Sequence, residues 1–137
     1  MTERHRIDGW SSALRDAIRR HQSAPFAWGE NDCAVMVGAC LLAVTGENPL
    51  AGYRWTTPVG ARRALKKAGA IDAVSFFSRG RVEIEPAFAQ RGDIGIVAGS
   101  HDALMSPAVI DGAYAYSINE HGPVVVPITD LARAWAV

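Results

Sequence analysis

A chain of 137 residues with 49% apolar and 20% charged content can bury one core without staples, which excludes a disordered chain and a disulfide scaffold. Fourteen basic and fourteen acidic side chains cancel, so no net field draws the molecule to nucleic acid or an anionic membrane surface. The opening MTERHRIDGW is polar, without a signal-peptide core, and no apolar run approaches the ~20 residues that span a bilayer. The expectation is one domain over residues 1–137, cytoplasmic when made and with no membrane span.

In chain order, RIDGWSSALRDAIRRHQ sets Trp10, Leu14, Ile18 and His21 at helical intervals and predicts a first amphipathic helix. SAPFAWG breaks it. Asn31 or Asp32 then caps CAVMVGACLLAVTG, a helix apolar almost all round and therefore central, which Gly46 ends. TTPVGARRALKKAG predicts a third helix, with a threonine cap, a proline in the first turn and a terminal glycine. Its Arg62, Arg63, Lys66 and Lys67 read as a solvated basic face. IDAVSFFS adds a short helical piece.

From residue 81 the texture changes to RVEIEP, GDIGIVAG, ALMSPAVIDG, AYAYSIN and GPVVVPI, short β-rich runs separated by glycine, proline and asparagine. The alternation in DIGIV puts Ile94 and Ile96 on one face and Gly95 and Val97 on the other. TDLARAWAV is expected to close as a short helix. Helices first and strands after give an α+β fold, with N-terminal helices packed on a C-terminal antiparallel β-meander.

Cys33 and Cys40 fall on one helix about 10 Å apart, too far for a disulfide, and no histidine stands at ligand spacing, so no metal site is expected. Cys40 reads as a buried hydrophobe. Cys33 begins its helix, where unpaired N–H groups and the dipole favour a thiolate, the nucleophilic form of cysteine.

The segment PFAWGENDC resembles the nucleophile motif of the NlpC-type cysteine peptidases, papain-like enzymes that cut peptide bonds in bacterial cell walls. Pro25, Phe26, Trp28, Gly29, Asp32 and Cys33 supply its parts, with Ala34 where that family usually has serine. Gly92 and Asp93 lie where the family starts its sheet. The whole chain is also similar to small uncharacterised phage and prophage proteins usually encoded among tail genes. The resemblance implies a papain-like NlpC domain with no cofactor, acting on peptidoglycan peptides. Its implied setting is a virion tail, beside other tail-tip proteins.

Such an enzyme needs a base near the sulfur and a polar group that orients it. His5 and His21 precede the cysteine, the wrong order for the family, and His121 in NEHGP reads as a hairpin-tip residue. His101 is the candidate base, although alignment backward from Gly112 puts Leu104 at that position, and Pro107 interrupts the strand that follows. The orienting residue falls near Tyr116, Ser117 or Asn119. Phe26, Trp28 and Asp32 are candidates for substrate binding.

Three readings stay open: a thiol hydrolase with catalytic Cys33, His101 and Ser117 or Asn119; an inactive structural or assembly subunit of a phage-type tail; and an unrelated binding module with the basic face as its surface.

Overall fold

A computed structural model describes residues 5–98 and 106–137. Four helices come first: α1 (Trp10–Ser23), α2 (Cys33–Thr45), α3 (Pro58–Lys67) and α4 (Ala73–Ser78). The strands β1 (Glu83–Ile84), β2 (Ile94–Val97), β3 (Ser106–Asp111), β4 (Tyr114–Asn119), β5 (Gly122–Pro127) and β6 (Leu131–Trp135) form one antiparallel sheet in the order β1-β6-β2-β3-β4-β5. The fold is α+β.

The helices end where local chemistry stops them. Asp32 caps α2 by accepting the Val35 N–H, and Gly46 closes it in the left-handed conformation. Thr57 caps α3 ahead of Pro58, and Asp72 and Ser75 form a capping box on α4. Met36, Val37, Cys40, Leu41 and Val44 are all buried, so α2 is the central helix, and it packs on α1 and on the β3–β4 face of the sheet. That face presents Ile94, Ile96, Val109 and Ile118 to the helices, while Gly95 and Val97 lie on the opposite face with Ala108, Ala115, Leu131 and Ala134. The alternation read in DIGIV is the one observed.

The C-terminal segment does not close as a helix. Residues 128–130 make one 3-10 turn, and Leu131–Trp135 is strand β6, inserted between β1 and β2. Only β2 to β5 form a meander. The register explains the misreading: Ile96 faces Arg133 but Val97 faces Leu131, so Ala132 is an extra, bulged residue. It breaks the two-residue period by which a strand is recognised.

Pro107 does not interrupt β3. The β3–β4 register runs from Val109 to Asp111 only, so Pro107 lies beyond it, and its carbonyl accepts the Ser117 hydroxyl at 2.8 Å instead.

The Gly92-Asp93 pair fixes the start of β2. Asp93 is fully buried and accepts the N–H groups of Gln90 at 2.8 Å and Val137 at 3.0 Å, and the Arg6 guanidinium at 3.1 Å. A side chain at Gly92 (φ +88°) would stand 3.1 Å from that guanidinium. Gly-Asp thus binds the N-terminal arm and the last residue to one sheet end.

Candidate functional site

Cys33 is held in place by the loop before it. The Asp32 carboxylate is 1% exposed and accepts three donors: Val35 N–H at 2.8 Å, Gly29 N–H at 2.9 Å and the Trp55 indole N–H at 2.7 Å. Gly29 sits at φ +81°, and a Cβ there would fall 1.7 Å from the Trp55 carbonyl oxygen, so only glycine lets the loop lie against Trp55. Asn31 adds a second anchor. Its amide NH2 donates to the carbonyls of His21, Ala24 and Pro25, and its Oδ1 lies 2.7 Å from His21 Nδ1. His21 is thereby a loop-fixing residue.

With the loop fixed, Cys33 lies partly exposed at the N-terminus of α2, in a pocket of about 100 Å³. Phe26 and Trp28 wall it, packed edge to face with ring centres 5.1 Å apart. From the sheet come Ser106 and Pro107 at the start of β3 and Asn119 at the end of β4, while Arg62 approaches from α3. The pocket is therefore a junction of the cysteine helix, the aromatic loop and the β3–β4 strand ends.

The thiol is not the acidic one that helix position alone predicts. Burial, and then the charge of Asp32, push Cys33 from an ordinary 9.0 to about 12; the N–H groups of Ala34 and Cys33 and the Ser106 hydroxyl act in the opposite direction and are outweighed. Cys40, fully inside the core, is also raised to about 12 by burial. Both are free thiols.

The structure brings together Cys33, Phe26, Trp28, Asp32 and Asn119 around the pocket. It does not bring Ser117 there. Ser117 alternates with Ile118, stands on the opposite sheet face and is spent on the Pro107 carbonyl. Asp32 borders the pocket, but its oxygens serve the loop. The Asn119 side-chain oxygen accepts the His121 N–H at 2.8 Å, which places His121 at the β4–β5 turn. His101 and Leu104 lie outside the described residues. Among the described residues no histidine lines the pocket, and no group of three or more His, Cys, Asp or Glu is placed to hold a metal ion.

Two participants carried no signal in the sequence. Ser106 reaches the sulfur only because β3 begins beside α2, and Trp55 meets Asp32 only through the fold. Among the described residues no helix is long and apolar enough to cross a membrane.

No curated protein and no solved structure matches the chain. A family profile, however, matches residues 5–137, nearly the whole of it. The chain belongs to that family, DUF6950, a domain of unknown function.

Proposed function

We propose that the protein is a thiol hydrolase of papain-like NlpC type, acting on peptide bonds of peptidoglycan as a component of a phage-type tail. The observation that carries this reading is the partly exposed Cys33 at the N-terminus of α2, beneath an aromatic wall and facing the start of β3. The reaction needs no cofactor. His101 takes the thiol proton, and the sulfur attacks the peptide carbonyl carbon. The N–H groups at the start of α2 stabilise the oxyanion. The imidazolium then returns the proton to the leaving amine, which departs as the C–N bond breaks and leaves a thioester on Cys33. Water, deprotonated by the same imidazole, releases the acid and restores the thiol. Asn119, at the pocket, orients the imidazole; Ser117 has no part in it.

A second reading is favoured by one observation. Among the described residues the side chain that bonds the sulfur is the Ser106 hydroxyl, which is no base at neutral pH, and the thiol is raised to about 12. In that reading the domain keeps the shape of the site as an inactive tail subunit. Wild type, Cys33→Ser and His101→Ala, assayed on purified peptidoglycan peptides, separate the two. The hydrolase reading expects cleavage by wild type and a loss of about 10²–10⁴-fold in His101→Ala. No cleavage by wild type, with normal incorporation of all three proteins into tails, decides for the second.

A further inference from the structure

A second surface lies away from the cysteine pocket, where α1 passes over the far end of the sheet. A groove of about 320 Å³ runs between Arg15, Ile18, Arg19 and Gln22 of α1 and Tyr116 of β4. Gln22 fixes its floor by donating to the Ser117 carbonyl at 2.7 Å. Asp111 at its end is paired with Arg91. Arg15 and Arg19 are exposed, one helical turn apart, and neither has an ion pair among the described residues. Like charges four apart on a helix repel.

Beyond the groove the helices no longer cover the sheet. Val125 pairs with Tyr116, and Pro127 with Tyr114. Val125 is 50% and Tyr114 49% exposed, and Pro123 and Pro127 are exposed beside them. A two-residue turn makes Asn119 and Gly122 the hydrogen-bonded closing pair, so residues 123, 125 and 127 turn their backbone groups to the free edge of β5. Two of those three are proline and have no N–H to offer. The edge is closed to strand addition while the face next to it stays open and apolar.

We infer that this groove and the adjoining β4–β5 face dock an acidic segment of another protein. Its carboxylates meet Arg15 and Arg19, and an aliphatic side chain lies over Tyr116 and Val125. Charge complementarity selects the acidic partner, since the groove's two unpaired charges are both cationic. The chain's zero net charge disfavours nucleic acid. The proline-blocked edge makes recognition depend on side chains of the partner, not on its backbone.

The test uses the full chain and a fluorescein-labelled decapeptide of alternating Glu and Leu, with Gln/Leu and Lys/Leu peptides and a single-stranded DNA oligonucleotide as controls. Anisotropy should show binding of the Glu/Leu peptide at least tenfold tighter than of either peptide control, weakening as salt rises. Amide shifts should centre on Arg15, Arg19, Tyr116 and Val125. Arg15→Glu with Arg19→Glu should reduce binding at least tenfold, and Val125→Ser severalfold, with unchanged circular dichroism. Equal affinity for the Gln/Leu peptide, tighter binding of the DNA, no binding of the Glu/Leu peptide at millimolar concentration, or insensitivity to the double arginine variant would each overturn the proposal. Concentration-dependent self-association that Arg15→Glu abolishes would assign the face to a second copy instead, and overturn it too.

Discussion

Replacing Asp32 by asparagine is expected to weaken the fold and, at the same time, make the neighbouring thiol more acidic. The two carboxylate oxygens take three N–H donors, at 2.8 Å from Val35, 2.9 Å from Gly29 and 2.7 Å from the Trp55 indole. Asparagine keeps one acceptor oxygen and turns an NH2 toward the remaining donors, so at least one buried N–H loses its partner. A hydrogen bond to a charged acceptor contributes ~1.5–3 kcal/mol and an unpaired buried donor costs ~1–3 kcal/mol, which gives an expected loss of about 2.5–6 kcal/mol. The second effect has the opposite sign for chemistry. The Asp32 charge is, after burial, the second cause raising the Cys33 thiol toward 12, so its removal brings that value down. Urea unfolding followed by tryptophan fluorescence reads the first effect. The second is read from the iodoacetamide rate against pH, in which the bend marks ionisation and the height marks access. A loosened loop raises the height without moving the bend. A stability loss below about 1 kcal/mol would refute the three-donor account, and a bend unmoved or at higher pH would refute the electrostatic one.

Other expectations are as specific. Because burial raises both cysteines from 9.0 to about 12, the folded chain keeps thiols that the unfolded chain ionises, so stability should hold below pH 9.0 and fall as pH rises toward 12; a flat unfolding free energy across that window would contradict it. In native protein Cys33, being partly exposed, should alkylate before Cys40, which is 1% exposed, and mass mapping of partly labelled protein that finds Cys40 first would refute this. Gly29→Ala should cost about 3 kcal/mol or more through the contact with the Trp55 carbonyl, whereas Gly52→Ala, at φ +89° with open space around it, should cost about 1 kcal/mol; equal losses in urea melts would show that the loop does not need its close approach. Arg6→Ala removes one of the donors to the buried Asp93 carboxylate together with the bonds from Arg6 to the Val137 carbonyl, and should cost about 1–3 kcal/mol, measured the same way; no measurable loss would show that Arg6 does not anchor the arm there.

The helices could be read from the chain because their signals are local. A capping residue at Asn31 or Asp32 and a threonine ahead of Pro58 mark the starts of α2 and α3, and α2 is too apolar to lie anywhere but the centre. The β2–β5 hairpins followed from alternation and turn residues for the same reason. Strand β6 did not, because the bulge at Ala132 shifts its period and its pairing partners β1 and β2 are far away in sequence. At the site, Cys33, Phe26 and Trp28 were found through one contiguous motif. The acidity of the thiol was misjudged, since a helix N-terminus predicts a stabilised thiolate while burial and the adjacent Asp32 charge oppose it more strongly. Ser117 was misplaced by one step of the strand alternation, which sends a side chain to the opposite face.

The central claim, that Cys33 is a working nucleophile, is tested most directly by trapping its acyl-enzyme. Wild-type protein mixed with a peptidoglycan peptide and quenched in acid should show, by intact mass and peptide mapping, one acyl group in thioester linkage at Cys33. The adduct should be absent from Cys33→Ser under the same conditions. If the wild-type chain binds the peptide yet carries no acyl group at Cys33 at any quench time and yields no cleaved product, the cysteine is not a nucleophile and the hydrolase reading fails.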